Sequence, residues 1–451
     1  VILIAMLGLI ASPGAAETFY NRIQPSTTNN DDSCDITVAP AATLLLPFFD
    51  VDLSKPDGAG DTTLFTVTNV TSAPQIAHVT IWSDWAFPVL TFNLVLTGYD
   101  VQSVNLYDVI ARGVIAPGGQ PDISPRLIAG PGSQPGFNGG NPNHFDEPCA
   151  GTTLKPELVA AIQSALITGL YNIGSTRVCG TQRIGGTHTN ARGYVTIDVV
   201  ASCSSALPSN PAYYTTQILF DNALIGDYQQ VNGGPLVGTF SNAAPMVHIR
   251  AIPEGGPAGY DAPTSLPYTF YDGYTPAANR KIDRRVPLPS TFAVRWVEAG
   301  NAIQTLYKIW REGPVRGVDA ATCSKANGNF GIYIGEEIRF DESENSFAVK
   351  GALFCGAVCH LEFPSTPATL IVNSSNTVFF PAHAASSDVA GWLYLNLNDP
   401  TPGLRSRPSQ NWVTAVMFAQ GRYAVEFDAA QLGNGCTPTA VVPSPQIGPA
   451  R

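Results

Sequence analysis

Gly193–Val200 reads GYVTIDVV, Val89–Leu96 reads VLTFNLVL and Trp392–Asn398 reads WLYLNLN. In the first, Val195, Ile197 and Val199 alternate with Tyr194, Thr196 and Asp198. In the second, Leu90, Phe92, Leu94 and Leu96 alternate with Thr91 and Asn93. In the third, Leu393, Leu395 and Leu397 alternate with Trp392, Tyr394 and Asn396. A period of two sends each set to its own face of a pleated ribbon, so these segments predict half-buried antiparallel strands. Thr62–Asn69, Ala77–Asp84, Phe292–Val297, Thr305–Arg311, Val413–Ala419 and Tyr423–Asp428 extend the series. Turn-rich punctuation such as TGYD (Thr97–Asp100) and NDPTPG (Asn398–Gly403) separates them. Many short strands and few helices predict an all-β chain of two antiparallel, immunoglobulin-like β-sandwich domains.

One segment breaks the period. Leu158, Ala161, Ile162, Ala165 and Leu166 follow helical spacing within Leu158–Gly169. Thr153 is placed to cap this helix, Pro156 suits its first turn and Gly169 ends it. It sits in an insertion of about 115–185 whose first part is dense in Gly and Pro. A basic run, TPAANRKIDRRV, breaks the β pattern at Thr275–Val286. The expected organisation is therefore an N-terminal domain over 41–275 and a C-terminal domain over 286–451. Thr62–Asp84 and Ser290–Glu312 both read as strand, polar turn and strand ending near a Trp, the pattern of an internal repeat.

Val1–Ala16, VILIAMLGLIASPGAA, is an apolar core followed by a Ser-Pro-Gly break and small residues. That is the form of a secretory signal peptide, too short to span a bilayer, with 17–40 as a linker behind it. Export to a periplasmic or extracellular space governs the reading of the eight cysteines, which an oxidising compartment couples as disulfides. Cys149 and Cys179 bracket the helix, and a bridge between them would restrict the unfolded chain by roughly 3 kcal/mol. Charged residues are 13% of the chain, about half the usual share. The net charge of −11, with six Lys, disfavours nucleic acid as a partner. No apolar run of 18 residues follows Ala16, so no transmembrane helix is expected in the mature chain.

Eight segments resemble a family of secreted bacterial proteins with no assigned activity. They are LLLPFFDVDL (from Leu44), TTLFTVTN (Thr62), AHVTIWSDW (Ala77), LTGYDVQSVNL (Leu96), ARGYVTIDVV (Ala191), PLPSTFAVRW (Pro287), GWLYLNL (Gly391) and QNWVTAVMFAQGRYAVEFDA (Gln410). The resemblance implies one exported architecture from end to end and carries over no catalytic residue.

Candidate chemistry is sparse. His78 shares a strand face with Thr80, Trp82 and Asp84, and His248 opposes Val247 and Ile249. If those strands pair, two imidazoles and a carboxylate (Asp84, or Asp50 or Asp52) would suit a transition metal. The alternative is ordinary polar-face histidines. Asp50, Asp52, Asp57 and Asp61 form an acidic loop that could hold calcium, although Lys55 and Pro56 interrupt the usual ligand order. Glu336–Glu344 reads as an exposed acidic turn. Cys355 and Cys359 before His360 are three residues apart where covalent haem attachment uses two, which points to disulfides. Nucleophile-elbow, Ser-x-x-Lys, His-Glu-x-x-His and phosphate-loop motifs do not occur. A glycosidase needs only two carboxylates brought together by the fold, Asp84 or Glu298 for example. Tyr268, Phe270, Tyr271 and Tyr274, with Arg280, Arg284 and Arg285 close behind, offer an aromatic and cationic contact patch for a surface protein or glycan.

These features favour a non-catalytic, exported structural or adhesion protein without a cofactor. A glycan-acting hydrolase and a metal-stabilised binding module (calcium or a transition metal) stand as alternatives.

Overall fold

The computed structural model describes residues 39–115, 154–173, 176–177, 179, 181, 183–203, 213, 217–219, 221–231, 242–251, 285, 288–299, 303–311, 336–349, 369–373, 389–397, 411–419 and 423–434. The chain first runs through β1 (Thr43–Val51), β2 (Thr62–Asn69), β3 (Gln75–Ser83), β4 (Pro88–Leu96), β5 (Val101–Asn105) and α1 (Leu106–Arg112). It continues through α2 (Pro156–Thr168), β6 (Asn172–Ile173), β7 (Thr176–Arg177), β8 (Ala191–Val200), β9 (Leu224–Val231), β10 (Asn242–Pro245) and β11 (Val247–Ile249). The remainder is β12 (Pro289–Ala299), β13 (Ile303–Arg311), β14 (Glu336–Asp341), β15 (Ser346–Val349), β16 (Thr369–Asn373), β17 (Ala390–Asn396), β18 (Asn411–Ala419), β19 (Tyr423–Asp428) and β20 (Ala430–Asn434). The protein is mostly β, in several antiparallel sheets with two short helices among the described residues. None of its described helices is long and apolar enough to cross a membrane.

Five strands form one sheet in the order β11-β1-β8-β3-β4, and four form another in the order β10-β9-β2-β5. Phe49, Val79, Phe92 and Ile197 of the first share a buried cluster with Phe65, Val67 and Tyr228 of the second. Val109 and Ile110 of α1 and Ile162 and Leu166 of α2 join the same cluster.

The opposite face of the five-stranded sheet is covered as well, and here the half-buried expectation fails. Leu45, Ile76, Trp82, Val95, Tyr194, Val247 and Ile249 form a second cluster with Leu288, Trp310 and Trp412. Trp82 stacks on Tyr194 with ring centroids 5.5 Å apart, and Tyr194 meets Trp310 edge-on at 5.7 Å. The Trp82 indole N–H donates to Thr196 Oγ1 at 2.8 Å, which removes the cost of burying that polar atom. Alternation in β8 and β3 therefore separates two interior faces, one apolar and one mixed, rather than an inside from an outside.

Thr62–Asp84 is not a hairpin. β2 and β3 lie in different sheets, and fully buried Asn69 turns the chain between them. Asn69 Nδ2 donates to the carbonyls of Ala73 (2.7 Å) and Thr97 (2.8 Å), and its Oδ1 accepts from Thr71 N. β12 and β13 pair directly only at Glu298–Gln304 and Ala299–Ile303 before taking separate partners. Beyond that point β12 pairs β17 and β20, whereas β13 pairs β16 and β18. Phe292, Val294, Tyr307, Ile309, Leu393 and Val413 form the third core cluster between them.

Two local expectations change. The acidic run Glu336–Glu344 is not simply a turn: its first six residues are β14, paired with β17 and β15. Its turn is tied by Asp341, whose carboxylate accepts from Asn345 Nδ2 (2.7 Å) and from the Ser343 and Asn345 amides. Those bonds, the Asn345 side chain first, hold the Asp341 carboxyl below its ordinary range. The helix α2 begins at Pro156 with Lys155 at the N-cap and no side-chain cap, in place of Thr153. Gly169 does end it, at φ +70°, where an added Cβ would fall 1.9 Å from the Gly185 carbonyl oxygen.

Helix α1 has no counterpart in the sequence reading, because seven residues hold too few apolar positions to display a period. Asn105 caps it by accepting from Tyr107 N at 3.0 Å, and Asp108 pairs with Arg112 one turn on. Replacing Asn105 by Ala should cost about 1 kcal/mol, read as a lower urea midpoint at unchanged slope.

Candidate functional site

The strand registers place Asn93, His78, Asp198 and Thr43 in one row across β4, β3, β8 and β1, on the face turned to the second cluster. All four are buried. Asp198 is the hub. Its Oδ1 accepts from Thr43 Oγ1 at 2.5 Å and pairs with Arg285 Nη1 at 3.1 Å, and its Oδ2 accepts from Tyr213 OH. His78 Nδ1 lies 2.7 Å from Asn93 Oδ1, and its ring packs against Tyr213. Arg285 and Asp198 are wholly inaccessible, so this is an interior polar network with no approach for a substrate. Sequence reasoning grouped Arg285 with an exposed contact patch; the structure instead seats it over the sheet, beside Ala251 in a short antiparallel bridge.

His78 and His248 do not meet. β1 and β8 stand between their strands, and the rings point to opposite faces. His248 is opposite Leu44, on the face of the first cluster, and its Nε2 accepts from Gly226 N at 3.1 Å. Burial pushes the His248 imidazole down to about 4, partly offset by a hydrogen bond that the ring donates to the Met246 backbone.

Asp84 takes a third direction. Its Oδ2 is 2.8 Å from His188 Nε2, and its Oδ1 accepts from Gly186 N at 2.9 Å. Cβ atoms added at Gly185 or Gly186 would come within 2.9 Å of the Asp84 carboxylate, so two glycines let the loop close over it. Asp84 and His188 pin the segment after α2 to the end of β3.

The acidic loop also disperses. Asp50 binds Arg192 Nε (2.7 Å) and Asn190 Nδ2 (2.5 Å), Asp52 caps the turn at Ser54, and Asp57 lies 3.5 Å from Arg112. No group of three potential metal ligands converges among the described residues. Glu298 stands on β12 opposite Gln304, in a different sheet from β3, which ends one residue before Asp84. Tyr268, Phe270, Tyr271, Tyr274, Arg284 and Cys149 lie outside the described residues. No free thiol occurs among the described cysteines, Cys179 and Cys203, and each is bonded in a disulfide.

The outer face of the four-stranded sheet is open to solvent. A cleft of about 290 Å3 there is lined by Leu64, Phe65, Thr66, Ser103, Val104, Asn105, Asp108, Asp227 and Gln229. The registers explain the grouping: Thr66 stands between Ser103 and Asp227, and Leu64 between Asn105 and Gln229. Asp227 and Gln229 are exposed, while Tyr228 between them is buried. Asp108 from α1 closes one side and is held by Arg112 at 2.7 Å. The surface thus presents hydroxyls, two amides and two carboxylates around one leucine. None of these residues stood out in the sequence, although Ile225, Asp227 and Gln229 alternate with Gly226, Tyr228 and Gln230 and so mark a water-facing strand side.

No family model matches the chain, and no curated protein matches it.

Proposed function

We propose that this is an exported, non-catalytic structural or adhesion protein whose contact surface is the outer face of the four-stranded sheet. The cleft between Thr66, Asp227 and Gln229 carries the reading. Donors and acceptors spaced on a stiff strand ladder, around a small apolar floor, fit a ligand rich in hydroxyl groups such as a surface glycan. The rigid backing is the five-stranded sheet, buried on both sides, which holds the recognition strands at fixed spacing. In this reading residues 41–275 and 286–451 are two sandwich units of immunoglobulin-like kind. The separation of β2 from β3, and of most of β12 from β13, supports it.

Arrayed glycans and matrix components should retain the purified protein, and D227A/Q229A should bind at least tenfold more weakly with unchanged unfolding. The magnitude follows from two lost hydrogen bonds of about 1 kcal/mol each. Retention equal to that of the parent would reject this surface.

A second reading, glycan hydrolysis, draws on Asp108 and Asp227 lining the same cleft. Sugar release by the purified protein, lost in both D108N and D227N, would favour it over adhesion.

A further inference from the structure

Where β9 meets β13 and β19, a lysine, a carboxamide and a carboxylate are enclosed together. Lys308 Nζ lies 2.5 Å from Gln230 Oε1 and 3.0 Å from Glu426 Oε1. Both charged side chains are buried, 6% and 0% exposed. Tyr228 OH donates to the same Glu426 oxygen at 3.0 Å, and the Phe48 ring underlies Nζ at 5.2 Å. The Gln230 amide is fixed at its other end too, with Nε2 donating to the Phe48 carbonyl at 3.2 Å. The second Glu426 oxygen is buried with no hydrogen-bond partner among the described residues.

We propose that this cluster forms an intramolecular amide bond between Lys308 Nζ and Gln230 Cδ, with Glu426 as the proton carrier. The geometry is that of a reactive pair. A carbonyl bond of about 1.2 Å puts Gln230 Cδ no farther than about 3.7 Å from Nζ, close to attack distance. Burial lowers the Lys308 ammonium below its ordinary range against the pull of Glu426, which eases release of the lone pair. Glu426 takes a proton from the ammonium, and Nζ then adds to Cδ. The tetrahedral carbon collapses with cleavage of the Cδ–Nε2 bond. Nε2 receives two protons, both from the former ammonium and both passed through Glu426, and leaves as ammonium. Nothing is oxidised or reduced, and Glu426 ends as it began.

The bond would join the four-stranded sheet covalently to the strands that cover the five-stranded one. Its value to an exported load-bearing or protease-exposed protein is plain, but its existence does not depend on what the cleft binds.

Mass spectrometry of the reduced, denatured full chain tests it. The parent should be lighter than its sequence by one ammonia, and digestion should yield one branched peptide joining Gln230 to Lys308. E426Q and K308R should both return the missing mass and release two linear peptides. Linear peptides spanning Gln230 and Lys308 from the parent overturn the proposal, whatever the variants do. So does a missing ammonia located at any other residue.

Discussion

R285A should lose about 3–5 kcal/mol of folding free energy, more than any other single change considered for this protein. The reason is what it leaves behind. Asp198 is wholly buried, and the guanidinium at 3.1 Å is its cationic partner. With Arg285 gone, Asp198 keeps Thr43 and Tyr213 as donors but loses this guanidinium. A stranded interior carboxylate is expensive because water cannot reach it. The damage should be much smaller when both charges go together. R285M/D198N should recover most of the loss, since Asn can accept from one of the two hydroxyls through Oδ1 and donate to the other through Nδ2 while Met fills the volume. Urea unfolding of parent, R285M, D198N and the double closes this cycle. Additive losses in the double would mean that the pair is not coupled.

The second large effect depends on pH. Unfolded, His248 titrates near 6.5; folded, burial holds it down to about 4. Between those values the unfolded chain carries the extra proton, so stability from this group is full above 6.5 and lost as pH falls to 4. The total is about 3 kcal/mol. Geometry agrees, because Nε2 accepts from Gly226 N–H and a proton placed there would face another donor. Asp428 works in the opposite sense. Burial, reinforced by Glu426 and opposed by hydrogen bonds from Trp412 and Thr414, raises it to about 6. Its contribution is full below about 4 and lost as pH rises through 6, roughly 1–3 kcal/mol because part of its surface stays wet. Over pH 4–6 the two nearly cancel. H248Q should therefore gain stability relative to the parent on acidification from 6.5 to 4, and D428N should lose it from 6 to 4. Urea midpoints at three pH values distinguish these slopes; parallel curves for all three proteins would refute both assignments.

Much of the fold was legible because period-two alternation survives wherever a strand divides two environments. Thr62–Asn69 and Tyr423–Asp428 begin and end where the sequence places them; the other strands start one to three residues earlier, and β3 and β17 stop one and two residues short. What alternation cannot report is the nature of the second environment. Thr196, Asp198 and His78 look like a solvated face, yet they line a second interior because Trp310, Trp412 and Arg285, distant in sequence, close over them. The same blindness undid the metal reading. His78 and His248 each sit on an alternating strand, but only the register shows that their rings leave the sheet on opposite sides. Asp84 found His188 through a two-glycine approach that no local pattern announces. The cleft depends on three strands and a helix meeting, so its residues were anonymous in the sequence although Asp227 and Gln229 alternate correctly.

Burial of the five-stranded sheet on both faces is the claim from which the rest follows. Native-state hydrogen exchange, resolved by peptide over residues 76–83 and 193–200, tests it most directly. The account predicts that amides of β3 and β8 exchange only by global unfolding, with protection equal to the full unfolding free energy and falling in step with it in R285A. Exchange of those strands at the rate of surface strands, with no response to R285A, would contradict it.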